Sequence, residues 1–277
     1  MEHVKTKNIC RAWAASLLVI CGLAQSSPAP YQLSDLESYL IRSFAWEQYE
    51  SFVNTGSSTL FENPKVYYFN AGALAKLVSS DPSGFLRKYK GQRIFVHGVP
   101  TRHSPSFSTF VFDAPNKQFT INIRMGSHDS SELQKPLKKN FYCQVISGDR
   151  NEIFLGDCIS GLSYQKNKIN EIEQGIKDYL SGKDQNNPNM PTYAMLAYMA
   201  LVSAKLLPDQ SACKTAISDE GPDTSADIRA CNQEVTTLWQ NSSESKHFEE
   251  AMDSVERDLT RHGADLNMIR QAASLMD

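Results

Sequence analysis

Four cysteines and a small set of aromatic and basic residues carry the chemical signal of this chain. Six cysteines occur in 277 residues: Cys10 and Cys21 at the amino end, then Cys143, Cys158, Cys213 and Cys231. An even set of this kind, in a chain that leaves the cytoplasm, is expected to close two disulfides, with three connectivities open. Proximity favours Cys213 with Cys231, a closure that adds roughly 3 kcal/mol of chain entropy. Cys143 and Cys158 face each other across a hairpin only if its turn holds an even number of residues. An odd turn pairs Val145 with Leu155 and Ile146 with Phe154, which buries the apolar residues better, and both registers remain open.

Catalytic chemistry has little to attach to. The sequence has no paired histidines at helical metal spacing, no C-x-x-C, no G-x-S-x-G, no phosphate loop and no G-x-G-x-x-G. His97, His103 and His128 fall on one strand and two separate loops, an arrangement that does not converge on a metal. Glu249, Glu250, Asp253, Glu256 and Asp258 read as a solvated acidic helix surface. No carboxylate pair stands out as acid and base, so a secreted hydrolase has no residue to build on. No cofactor and no metal are expected, and a binding role without turnover is the expectation.

The residues that could recognise a ligand lie in a strand-rich region, Gly91 to Ile159. Gln92 to His97, Phe107 to Asp113 and Gln118 to Met125 read as three strands, followed by an amphipathic piece, Ser130 to Lys139. Phe141 to Ser147 and Glu152 to Ile159 then flank a Gly-Asp-Arg-Asn turn. Three strands, a short helix and two strands is the order of a five-stranded OB-type β-barrel. If Ala114 to Asn116 is a three-residue turn, Val111 opposes Phe119, and Phe107, Val111, Ile121 and Ile123 face the interior. Phe110, Phe112, Asn122 and Arg124 then lie outside, beside Arg93, Phe95 and His97. Such a surface stacks bases or sugars when open. Under a flanking helix the same phenylalanines are packing residues, and that is the favoured expectation.

Two stretches resemble a known family. Ala71-Gly72-Ala73-Leu74, followed by Phe85 to Gly98 with its Lys-Tyr-Lys-Gly core, is similar to the opening of the tRNA-anticodon-binding-like OB-fold family of bacterial envelope proteins. Ile153 to Cys158 resembles that family's closing strand. The resemblance covers about residues 69 to 159. It implies an OB fold and an envelope location, and it implies little about activity.

Helices must frame this region. Leu36, Leu40 and Phe44 recur at helical spacing in Tyr31 to Val53, where Trp46 and Tyr49 are expected to pack. Asn70 can cap a helix over Ala71 to Val78. Later helices are expected over Gln165 to Leu180, Thr192 to Leu207, Ala226 to Trp239 and Lys246 to Met276. The second of these is apolar nearly all round, as in the centre of a bundle.

The amino end supplies the address. Lys5, Lys7 and Arg11 precede an uncharged run, Ala12 to Ala24, that closes on Gly22-Leu23-Ala24, the pattern of a secretory signal peptide. Gly22, Pro28 and Pro30 disfavour a retained anchor, and Ile20 disfavours lipidation of Cys21. The mature chain is expected to start near Gln25 and to meet the membrane only during export. It carries 25 basic and 30 acidic residues, net −5, which makes nucleic acid an unlikely partner. Residues 85–160 are net +5, whereas 161–277 are net −7.

The expected organisation is a signal peptide over 1–24, an N-terminal helical lead over 25–84, an OB-fold barrel over 85–160 and an α-helical domain over 161–277. The fold class is α+β, and the expected role is a periplasmic or secreted binding module with a protein partner in the envelope. An oligonucleotide or glycan ligand on the barrel is the alternative, and a secreted hydrolase is a further one.

Overall fold

The structure, a computed structural model, describes residues 29–58, 60–61, 66–104, 109–113, 119–125, 139–183, 186–218, 225–242 and 245–274. The leader, His128, Phe107 and the expected amphipathic piece up to residue 138 lie outside the described residues, as do the side chains of His103 and Phe110.

The chain is α+β. In order it forms α1 (Asp35–Thr55), β1 (Tyr67–Asn70), α2 (Ala71–Ser80), α3 (Pro82–Tyr89), β2 (Arg93–Gly98), β3 (Arg102–Ser104), β4 (Thr109–Asp113), β5 (Thr120–Met125), β6 (Lys139–Gly148) and β7 (Glu152–Ser160). Then come α4 (Gly161–Leu180), α5 (Met190–Leu206), α6 (Ala212–Ser218), α7 (Ser225–Ser242), α8 (Lys246–Arg261) and α9 (Leu266–Ala273). Local chemistry sets the ends. Ser34 and Glu37 form a reciprocal capping box at the start of α1, and Gly56 closes that helix at φ 77°. Asn70 caps α2, Ser160 caps α4 and Ser245 caps α8. The long final helix expected from the sequence is broken in two, because Gly263 takes φ 83° and Asp265 caps a new helix.

One mixed sheet runs β1-β2-β6-β7-β5-β4-β3. β1 is parallel to β2 and β5 is parallel to β7; every other pair is antiparallel. β2 and β3 stand five strand spacings apart in this order, about 24 Å in a flat sheet. Yet only residues 99–101 join them, and that link spans at most about 15 Å. The sheet must therefore curl until its ends approach. The Thr101 amide donates to the Val111 carbonyl at 2.8 Å beside that junction.

A closed five-stranded barrel is not what forms. Among the described residues the sheet has seven strands: β1 adds an edge, β3 adds a strand beyond Val99-Pro100 where only a loop was expected, and no ladder joins β2 to β3 or β4. Proline lacks the N–H that a continuous ladder would need at the bend.

Two cores result. Ile94, Val96, Ile121, Ile123, Phe141, Cys143, Val145, Ile153 and Leu155 line the concave side and meet Leu74, Val78, Phe85 and Tyr89 of α2 and α3. The second core joins Leu40, Phe44 and Phe52 of α1 to Ile172 and Ile176 of α4, to much of α5, and to Val255 and Leu259 of α8. α5 is buried on nearly every side. Disulfides join Cys143 to Cys158 and Cys213 to Cys231, consistent with an exported protein. Among the described residues no helix is long and apolar enough to cross a membrane.

Candidate functional site

Side chains on the convex side of the sheet divide into a covered half and an open half. β2 alternates as its pattern requires, with Ile94 and Val96 turned to the sheet core and Phe95 away from it. α1 and α4 cover that side. Phe95 is 0% exposed, with its ring centroid 5.0 Å from Phe52 and 5.6 Å from Tyr164. Tyr142 of β6 packs on Tyr164 at 4.6 Å.

Arg93 and His97 flank Phe95 and seal this junction. Arg93 lies 5.4 Å above the Tyr142 ring, donates to the Asp157 carbonyl at 2.7 Å and pairs with the Asp157 carboxylate. His97 Nδ1 bonds Asn140 Oδ1 at 2.5 Å, and its ring stacks with Tyr68. Asn140 in turn bonds the Tyr49 hydroxyl, whose ionisation burial pushes far above its ordinary range. Arg93, Phe95 and His97 thus share a face, on which α1 and α4 bury Phe95 while Arg93 and His97 stay half-buried at its margin.

β4 departs from the expected phase. Phe112 opposes Ile121 and Asp113 opposes Thr120, so residues 114–119 form the connection rather than three residues. The odd difference inverts the strand. Phe112 is therefore 3% exposed in the sheet core, 6.0 Å from Phe141, whereas Val111 lies on the other face and is half-buried. The placement of Phe112 outside and Val111 inside is corrected on this ground. Phe110 opposes Ile123 through its backbone.

The open half contains residues that sequence reasoning left unused. Arg102, Val111, Asn122 and Phe154 stand in one row across β3, β4, β5 and β7. Phe154 is 41% exposed, and Ile146 of β6 is 45% exposed. The Ile146 side chain lies over Gly156, where an added Cβ would come within 3.0 Å of it. Asn122 Nδ2 donates to Glu152 Oε2 at 3.2 Å, and Arg124 and Arg102 are exposed at the rim. The alternation of Ile153, Phe154 and Leu155 was the available signal, since two buried residues must leave the middle one outward.

An apolar pair rimmed by arginines can dock a surface. Among the described residues no three His, Cys, Asp or Glu side chains gather in a metal-binding group. No family model, no curated protein and no solved structure matches the chain.

Proposed function

We propose that this chain is an exported, non-catalytic binding protein of the cell envelope that holds a protein partner on the open half of its curled sheet. The observation that carries this reading is the exposure of Ile146 and Phe154, both over 40%, on the neighbouring strands β6 and β7 of a face whose other half packs on α1 and α4. Clustered large apolar side chains left in water on an otherwise covered surface mark an interaction site more often than chance exposure. The rim residues Arg102 and Arg124 favour a partner whose contact surface is apolar at its centre and acidic around it.

The OB reading is supported by the pairing order. Treating β2 and β3 as halves of one bent strand, the sheet runs first, fourth, fifth, third, second, with the third and fifth strands parallel. That is compatible with a partly open Greek-key barrel, and β4 and β5 then occupy the positions where OB folds bind ligands. Two disulfides and the leader pattern support the oxidising, extracytoplasmic location. An oligonucleotide or glycan on this sheet is less favoured, because Phe95 and Phe112, two of its intended stacking rings, are buried.

Site-specific photocrosslinking tests the reading. A photoreactive residue at position 146, with the chain expressed to its own compartment, should give a discrete protein adduct. Phe154→Ser should reduce that adduct at least about tenfold while the melting temperature holds. No adduct, an adduct insensitive to Phe154→Ser, or a nuclease-sensitive adduct would each overturn it.

A further inference from the structure

A cleft between α1 and α7 has the chemistry of a saccharide site, and it is separate from the sheet face and independent of it. Its floor is a buried clamp. Asn232 Nδ2 donates to the Ser43 carbonyl at 3.0 Å, and Ser43 Oγ donates to Asn232 Oδ1 at 2.5 Å. Above that clamp the helices leave a cavity of about 400 Å³, within the range of about 300–1,000 Å³ typical of small-molecule sites.

The walls match a ring bearing hydroxyl groups. Arg229, Gln233, Thr236 and Gln240 recur at spacings of 4, 3 and 4 and form one stripe of α7 facing Trp46 of α1. The Gln233, Thr236 and Gln240 side chains make no hydrogen bond among the described residues, so their donors and acceptors are available to an occupant. The Arg229 guanidinium stands 5.4 Å from the Trp46 ring centre and presents further planar donors beside it. Trp239 Nε1 donates to Ser203 Oγ at 2.9 Å, whereas among the described residues the Trp46 indole N–H has no such acceptor.

Glu47 also lines the cleft and balances Arg229, so the site carries no net charge for a phosphate or polyanion. A neighbouring groove along α7, lined among others by Pro208, Ala212, Glu234 and Leu238, shares Gln233 with the cleft but lacks Trp46, Arg229, Thr236 and Gln240. We propose that the α1–α7 cleft binds a short neutral saccharide, with Trp46 packing on the sugar's C–H face and Gln233, Thr236 and Gln240 bonding its hydroxyls.

The mature chain retains Trp46 and Trp239, so a Trp239→Phe variant makes Trp46 the single emitter. Titration of that variant with maltotriose, cellotriose and tri-N-acetylchitotriose should give a saturable emission change with at least one of them. Ligand-detected NMR on the native mature chain should show the same sugar bound. Thr236→Ala with Gln240→Ala, both exposed positions, should weaken binding at least about tenfold without moving the melting temperature. Trp46→Phe should retain most of the affinity seen by NMR, and Trp46→Ala should lose it. Absence of saturable binding up to about 10 mM with all three sugars would overturn the proposal. So would binding unchanged by the double substitution.

Discussion

Cys143 and Cys158 face each other across β6 and β7 with Cα atoms 4.1 Å apart, in a register the two strands abandon one residue later, where Gln144 meets Gly156. Asp157 absorbs the difference. It takes φ 48°, unusual for a residue other than glycine, and forms a bulge; a second shift at Ile146 restores the first register, so Phe154 pairs with Ser147 and the expected Ile146–Phe154 pair does not form. The disulfide therefore sits directly across the strands, and Val145 still pairs with Leu155 in the core. The displaced Asp157 reaches Arg93 of β2, across β6.

If Asp157 is there for its backbone, its substitutions should rank by tolerance of positive φ. Asp157→Gly should keep stability within about 1 kcal/mol, whereas Asp157→Val should lose about 1–3 kcal/mol. Arg93→Ala should cost no more than about 1 kcal/mol, because the pair is exposed, at 38% and 64%. Denaturant unfolding of the three variants measures this. An Asp157→Val protein as stable as the parent would show that the bulge is not strained.

The two halves of the convex face should respond oppositely to truncation. Phe95→Ala removes a fully buried ring between sheet and helices and should cost about 3–5 kcal/mol. Phe154→Ala removes an exposed ring and should stay within about 0.5 kcal/mol. Paired melting curves check the contrast. Equal losses would mean that Phe154 is covered in solution.

Alkali should unfold the protein through its tyrosines. Burial pushes the phenols of Tyr193 and Tyr198 up to about 12, and raises Tyr49, Tyr164 and Tyr179 further. The unfolded chain releases these protons near pH 10, so the folded state binds more protons above that point. Stability is then intact below pH 10 and lost as pH rises from about 10 through 12. Phenolate absorbance followed alongside circular dichroism should show a fraction of tyrosines ionising only as the fold collapses. Complete ionisation near pH 10 with the fold intact would contradict this.

Much of the local structure was legible because it depends on neighbours in the chain. Ile94 and Val96 alternate with Phe95 whatever lies above the sheet, Asn70 caps the helix that follows it, and Cys213 with Cys231 is a local pairing, 18 residues apart. The tertiary structure decided what depends on distant partners. A connection longer by an odd number of residues turned Phe112 inward and Val111 outward. α1 and α4, which lie outside the strand region in sequence, closed over Phe95 and left Ile146 and Phe154 open. Alternation states which residues share a face of a strand. Which face is covered, and which register a disulfide and a bulge can reconcile, follows from packing free energy that is realised only when remote elements meet.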